Sequence, residues 1–403
     1  MPELPETILD PAIIANPGPT LDLLLEHAPV FRDEVMGAWI ITRYDDVKSI
    51  FADDRFSRDR RRGQHYIPPA PGSWAEKLDD DATSRSDGEE HRRWRARIAK
   101  GFTPRAVARQ ESQVRDVVAQ FGEPLRGRTG VVDLVDVFTN PIPNTVISRI
   151  SGIPPYPGEE DRFRQIAQDV IRRFITMADE ENIRRGERAI DELAEWVGKL
   201  ADERRQQPAE DLVSDLIHGN PKDPMSDTDI VMLVASLIAA GSETTTLGGT
   251  HTLRFLLENP EQLALLREDR SLSRNAVREA LRFGFGSIAG GVPRFALEPI
   301  EFRGAAIAKG DMVMVSTLGA NRDRSVIDDP DRFDITRDTR DLLSFGSGPH
   351  YCLGANLAMQ EMACMLEEAL DFLPEDAQLL SDEIVWETVG LIRRPTTLPV
   401  RFA

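Results

Sequence analysis

The sequence predicts a mainly α-helical fold with a minor β portion. Three observations carry this: helical periodicity dominates from about Glu89 to Asn259, one helical pattern within that region can run unbroken for more than about thirty residues, and β-prone runs are short and confined to the first hundred residues and the last third. Near the start, Ala38-Trp39-Ile40-Ile41-Thr42 reads as a strand, followed by a helical pattern from Asp45 to Ala52. Residues 58–86 read as loop, with Pro68-Pro69-Ala70-Pro71-Gly72 inside; irregular segments of that length usually serve function. The helical region is interrupted at Gly152-Ile153-Pro154-Pro155 and at Gly219-Asn220-Pro221. A long helix then opens after Ser226, with Asp229 placed as in a capping box, and runs toward Asn259-Pro260, a length of roughly 50 Å. Its first half is apolar on every side, the pattern of a helix threaded through a protein. The chain ends in an extended segment, Thr397 to Phe402. No repeat and no Gly/Ser-rich or charged linker divides it, so residues 1–403 are expected to form one domain.

Composition narrows the function classes. Of 403 residues, 41% are apolar and 29% charged, which suggests neither disorder nor a fibrous architecture. A net charge of −19 points away from nucleic acid, whose phosphates require concentrated Lys and Arg. The two cysteines, Cys352 and Cys364, form no Cys-x-x-Cys pair, which disfavours structural zinc, an iron–sulfur cluster and covalent haem attachment. Met1-Pro2-Glu3-Leu4-Pro5-Glu6 lacks the basic opening and apolar run of a signal peptide. The most apolar stretch, Ile230 to Gly241, is shorter than the roughly 20 residues of a membrane span. A cytoplasmic location with no membrane attachment is therefore expected.

The most informative segment is Phe345-Gly346-Ser347-Gly348-Pro349-His350-Tyr351-Cys352-Leu353-Gly354. Its glycines and proline make a turn-rich loop, and a helical pattern begins beside Cys352 through Ala355, Leu357, Ala358 and Met362. A cysteine at a helix start meets unpaired N–H groups, which favour thiolate over thiol and moderate its electron donation. Gly354 leaves room for a flat macrocycle to approach the backbone. An isolated cysteine in such a turn can also be a plain buried residue, and Cys364, twelve residues further along the same helix, is expected to be one.

Other segments need a reason as well. Within the long helix, Ala240-Gly241-Ser242-Glu243-Thr244-Thr245 breaks a mostly apolar run with polar groups that are costly to bury. Glycine and hydroxyl side chains can kink a helix there, and the kink and a chemical role are compatible. Glu279-Ala280-Leu281-Arg282 places an acid and a base on one helix face. Glu90 to Ile98 is basic within an acidic protein: His91, Trp94, Arg95, Ile98 and Phe102 share one face, and Arg93, Arg97 and Lys100 share a solvated one.

In this order and spacing, the segments resemble the cytochrome P-450 family. Phe345, Gly348, Cys352 and Gly354 match its haem-binding loop, which implies a non-covalent haem b with Cys352 as axial iron ligand; the thiolate pushes electron density that favours O–O cleavage. Ala240, Gly241, Glu243 and Thr244 match the family's oxygen-binding groove. The match implies that Thr244 hydrogen-bonds dioxygen and that Glu243, standing where many members have aspartate, relays protons. Glu279 and Arg282 match the Glu-x-x-Arg element, and Arg332 is implied to complete its buried ion network. His91, Arg95, Arg294 and His350 are implied haem-propionate contacts. Two local departures, Arg278 where an acid is common and Gly284 to Ile288 without the usual proline, bear on substrate shape more than on haem.

The resemblance implies a monooxygenase that hydroxylates or epoxidises an apolar small molecule with one atom of dioxygen, the other leaving as water. No flavin or iron–sulfur signature is present in the sequence, so electrons are expected from a separate ferredoxin and reductase. Candidate substrate contacts are Leu237, Ala240 and Thr244, the run from Ile288 to Val292, and Leu391 with Ile392, which suits a terpenoid, steroid, fatty-acyl or aromatic substrate. Arg58, Arg60, Arg61 and Arg62 read either as anchors for a substrate carboxylate or as a solvated loop. The rival functions are a peroxide-dependent hydroxylase, against which Glu243 and Thr244 argue, and a non-catalytic haem-binding sensor or recruitment protein.

Overall fold

The helical periodicity resolves into helices gathered around one long axis, Asp227–Glu258, 32 residues in a single run. The structure is a computed structural model, and it describes all residues except 1, 65, 81–86, 154–157, 176–179, 220–223, 286–287, 290–292, 390 and 403. The start of the central helix is fixed by the expected capping box: Ser226 Oγ accepts from the Asp229 N–H and the Asp229 carboxylate accepts from the Ser226 N–H, each at 3.2 Å. Ile230 to Ala235, Ile238 and Ala239 are all buried, so the helix is enclosed rather than amphipathic. By length and composition alone it could cross a membrane, but most of its apolar window is buried inside the protein, as in the core helix of a globular fold.

Helices Pro141–Ser151, Glu160–Ile175, Glu180–Gln206, Ser273–Gly284 and Ala355–Phe372 pack on this axis. The last comes very close. A Cβ at Gly248 would lie 2.5 Å from Met362 Sδ, and one at Gly249 2.7 Å from Met365 Cε, so the glycines let the two helices meet backbone to side chain. Two apolar clusters result, one around the first half of the central helix and one around its second half. Leu237 and Leu353 pack against both, which places the polar interruption at 240–245 and the cysteine loop along the same seam.

A five-stranded sheet lies beside the helices in the order Val30–Asp33, Ala38–Ile41, Met312–Val315, Arg294–Ala296, Phe56–Ser57. Ala38–Ile41 runs parallel to Met312–Val315 and the other pairings are antiparallel. The expected strand and following helix thus appear as Ala38–Ile41 and Tyr44–Ala52. The C-terminal strand Pro399–Phe402 is central in a second sheet, between Gln378–Leu379 and Gly130–Asp133. The last of these is a short strand inside a region the periodicity reads as helical; Val131-Val132 suits it and Val400 lies opposite Val132.

One reading needs correction. Residues 58–86 are not loop throughout: they contain a 3-10 turn at Arg60–Arg62 and a helix at Trp74–Asp80. That helix starts without an apolar-periodic signal because local capping carries it: Ser73 Oγ accepts from the Glu76 N–H at 3.1 Å and Glu76 accepts from the Gly72 N–H at 2.6 Å.

Candidate active site

The cysteine loop is built by glycine. Gly346 and Gly348 adopt φ of 72° and 70°. A Cβ at Gly348 would sit 2.7 Å from the Phe51 carbonyl oxygen, so only glycine lets the loop lie on helix Tyr44–Ala52. The Cys352 N–H donates to the Phe345 carbonyl at 2.9 Å, which closes the loop, and the helix begins at Ala355. The N–H groups of Gly354 and Ala355 hydrogen-bond the Cys352 sulfur, and Arg95 and Arg58 add positive potential. Burial nonetheless outweighs all of these and raises the thiol above its ordinary value. The thiolate expected from the helix start alone is therefore not the favoured form without a ligand; a metal held there would displace the proton. The residue is accessible to solvent although the sulfur is surrounded by protein, so it opens onto an internal chamber. Cys364 is buried and its thiol is pushed up to about 11, mainly by burial, as a core cysteine should be.

On the otherwise buried central helix, Ala240 and Thr244 are exposed one turn apart, with Leu237 and Gly241 half-buried beside them. This stripe of small residues borders the same seam as Cys352. Thr244 Oγ1 donates to the Ala240 carbonyl at 2.6 Å, and Ser242 Oγ donates to Ile238 at 2.9 Å, so both hydroxyls are satisfied within the helix. Glu243 is buried and turned elsewhere. Its Oε2 accepts from Arg394 Nη1, and Arg394 Nη2 also donates to Glu387 at 2.7 Å. Among the described residues no hydrogen bond joins Glu243 to Thr244.

Opposite charges are scarce in the next cluster. The His91 ring stacks on His350 with centroids 3.8 Å apart. His350 Nε2 lies 3.3 Å from Asp87 Oδ1, while Asp87 Oδ2 accepts from Ser57 Oγ and, at 2.9 Å, from the Arg58 N–H. Burial works to raise the Asp87 carboxyl, but the bonds from His350, Ser57 and Arg58 prevail and lower it. Burial, with repulsion from Arg95, Arg58 and Arg294, pushes His91 down to about 4. His350 falls to about 3, again mainly through burial, despite its bond to Asp87. Arg294 is buried, faces the Phe51 ring at 5.5 Å, has no carboxylate in salt-bridge reach among the described residues, and is lowered to about 10 by burial. His91 Nε2 is buried with no partner. Arg95 donates to the Tyr351 carbonyl, next to Cys352.

His91, Arg95, Arg294, His350 and Arg58 thus converge on a region in which, among the described residues, Asp87 is the neighbouring acid. A buried guanidinium such as that of Arg294 is unfavourable unless paired, and a ligand bearing two carboxylates beside the cysteine would pair with it and accept hydrogen bonds from the neutral imidazoles. The space suits a flat ligand too, because a Cβ at Gly354 would meet nothing within 4 Å. These residues fit a haem. Arg60, Arg61 and Arg62 pair with Asp79 and Asp59.

The Glu279–Arg282 pair is completely buried, with Nε–Oε2 at 2.7 Å and Nη2–Oε1 at 2.8 Å, and Arg282 also donates to the Asn321, Pro330 and Arg332 carbonyls. The expected third member is corrected: Arg337, not Arg332, reaches Glu279, at 3.4 Å. Phe333 points into the core, so its neighbour Arg332 points out, pairs with Asp334 at 3.6 Å, and lends the network only its carbonyl. Of the substrate candidates, Ile288 and Leu391 are packed in a cluster with Leu21, Ile40 and Met314, Ile392 is half-buried, and Val292 lies outside the described residues. Phe345 is half-buried, 6.5 Å from Tyr351 between ring centroids. Asp87, Arg337, Glu387 and Arg394 were not anticipated, since no motif marks them.

A solvent-accessible cysteine at a helix start on the same seam as a threonine and small residues, flanked by arginines and two imidazoles, is the arrangement of a haem-thiolate protein. The family model for cytochrome P450 matches residues 29–373, and the chain belongs to the cytochrome P450 family. It is 34% identical over 363 residues to nocardicin C N-oxygenase of Nocardia uniformis subsp. tsuyamanensis, covering 90% of this chain and 89% of that protein. It is 35% identical over 391 residues to 6-deoxyerythronolide B hydroxylase of Saccharopolyspora erythraea, covering 94% of each. Among solved structures, that of CalO2 superposes with a TM-score of 0.88 at 31% identity over 98% of both chains. The protein is accordingly a haem-dependent P450 monooxygenase with the fold of that family.

Proposed function

We propose that this protein, acting as one domain in the cytoplasm, is a haem b monooxygenase that hydroxylates or epoxidises a macrolactone-like polyketide, with electrons from a separate ferredoxin and reductase. The observation that carries the haem assignment is the buried cluster of His91, His350, Arg294 and Arg58 around Asp87, next to Cys352. Cys352 would hold the iron, and the cluster with Arg95 would hold the propionates. When bound, haem supplies the redox chemistry that splits dioxygen and inserts one atom into a C–H bond or double bond. The substrate class is supported by the relative named as a 6-deoxyerythronolide B hydroxylase, and by the small side chains at Ala240 and Gly241, which leave room for a bulky ring.

The chain's own residues handle protons and water. Thr244 holds a hydroxyl at the chamber; when it lets go of the Ala240 carbonyl, its proton is free to meet a reactant oxygen. Glu243, Arg394 and the more exposed Glu387 form a polar path behind it. A peroxide-dependent enzyme would have no need of this path for dioxygen.

Two measurements test the proposal. Titrating the haem-loaded protein with 6-deoxyerythronolide B, nocardicin C, a steroid, a monoterpene and a fatty acid should give the largest shift of the haem absorption with the macrolactone; a response to any other compound alone overturns the substrate class. Thr244→Ala should retain haem while about a tenfold larger share of electrons ends in hydrogen peroxide. Unchanged coupling would remove Thr244 from proton delivery.

A further inference from the structure

We propose that Arg394 is a positioning residue for proton delivery: it holds Glu243 away from Thr244, and Glu387 makes it possible to let go. The inference rests on the proton-relay role proposed above for Glu243.

The arrangement follows from the C-terminal hairpin, Trp386–Val389 paired antiparallel with Ile392–Pro395. Its register sets Glu387 directly opposite Arg394, so this cross-strand ion pair is built into the hairpin. Arg394 donates to Glu387 Oε2 through Nε at 2.9 Å and Nη2 at 2.7 Å, leaving Nη1 for Glu243 Oε2. One guanidinium thus serves two carboxylates through different edges. Side-chain exposure rises along the path, 10% at Glu243, 19% at Arg394 and 33% at Glu387.

This asymmetry has a function. A lone buried arginine facing Glu243 could not release it without being left unpaired, which is strongly unfavourable. With Glu387 fixed opposite, Arg394 stays neutralised while Glu243 comes and goes. Glu243 then takes a proton from water on the Glu387 side, swings to the chamber face of the helix, and hands that proton to Thr244 Oγ as the threonine gives up its own. The bond broken at each step is the O–H of the donor and the bond formed is the O–H of the acceptor. Return of the bare carboxylate to Arg394 resets the path.

Opposite effects of two substitutions test this. In haem-loaded protein, the probe reaction is the reduction of dioxygen to water with electrons from a surrogate ferredoxin and reductase, followed in H2O and D2O. Arg394→Gln frees Glu243 and should raise the rate about threefold with a smaller solvent isotope effect, whereas Glu387→Gln should lower it about fivefold because Arg394 then cannot release. Arg394→Lys, which keeps the charge but not the two-edged fork, should fall between wild type and Arg394→Gln. In the Glu243→Gln background, Arg394→Gln should change nothing further. The second readout is independent of turnover: shifts of the unfolding midpoint for Arg394→Gln and Glu243→Gln should be non-additive, and more so with Glu387 intact. Loss of rate in both Arg394→Gln and Glu387→Gln, or additive midpoints, would make Arg394 merely structural and overturn the inference. If Glu243→Gln alone leaves rate and isotope effect unchanged, the relay role of Glu243 fails first, a result separable from the others.

Discussion

Acidification probes the cation cluster directly. In an unfolded chain histidine titrates near 6.5, whereas in the folded protein His91 is lowered to about 4 and His350 to about 3. Between these values the unfolded state binds more protons, so stability falls as pH falls, by at most ~1.4 kcal/mol per pH unit per ring. From pH 6.5 to 5 the pair would lose ~3 kcal/mol unscreened, and about 2 kcal/mol once solvent near the cluster is allowed for. That is a large part of the roughly 5–15 kcal/mol available to a folded protein. Two other groups contribute. His251, whose ring burial pushes down to about 3, adds a loss of the same sign. Glu361, raised by burial, opposes it, because the folded state holds that proton more tightly. Neither is altered by replacing His91 and His350, so comparison with His91→Gln/His350→Gln isolates the pair. Urea unfolding of the haem-free protein, followed by tryptophan fluorescence from pH 6.5 to 5, should show wild type losing about 2 kcal/mol more than the double variant. Loading with haem should shrink that difference, since carboxylates facing the rings favour their charged form. Equal slopes in wild type and variant would refute the depressed histidines; a slope indifferent to haem would refute propionates at this position.

Three further outcomes are expected. Arg282→Leu leaves buried Glu279 with Arg337 at 3.4 Å and the Asp334 N–H at 3.0 Å, and strips the Asn321 and Pro330 carbonyls of their Arg282 donor; urea unfolding should show a loss of about 3–5 kcal/mol, and a loss under about 1 kcal/mol would contradict the network. Glu361→Met removes a carboxyl whose Oε2 is buried without a partner. Because wild-type Glu361 weakens the fold increasingly as pH rises above the ordinary carboxylate range, the variant's melting temperature should gain on wild type from pH 5 to 8, and a gain that does not grow with pH would count against it. Cys352→Ser should abolish the thiolate-type spectrum of the reduced carbonyl complex, while Cys364→Ser, at a buried position, should preserve it.

What could be read from the sequence was what is local in it. The capping box at Ser226 and Asp229, the glycine loop before Cys352 and the three-residue spacing of Glu279 and Arg282 are each fixed by neighbours in the chain, and each stands where the pattern places it. The choice between Arg332 and Arg337 is different in kind. It depends on which residue of an irregular segment turns inward, and the burial of Phe333 settles that only in three dimensions. The same holds for the charge on Cys352: the helical N–H groups are visible in the sequence, while the burial that outweighs them is not. Arg394 and Glu243 lie 151 residues apart, and Asp87 and His350 lie 263 apart, so no spacing rule could have joined them.

The long-range origin of the cation cluster also decides when it can form. Ser57 pairs with Phe295 across the edge of the five-stranded sheet, and this register sets Arg58 beside Arg294. Asp87 precedes the helix Gly88–Ile98 that presents His91, and His350 arrives only with the cysteine loop. Four separate elements must therefore be in place before Arg58, Arg294 and the two imidazoles come together beside Asp87. Their burial opposes the last step of assembly, and a dicarboxylate ligand offsets it. Haem binding and completion of this part of the fold are then one equilibrium, in which anything that eases burial of the cluster, such as loss of the Arg294 charge, lowers the protein's dependence on its ligand.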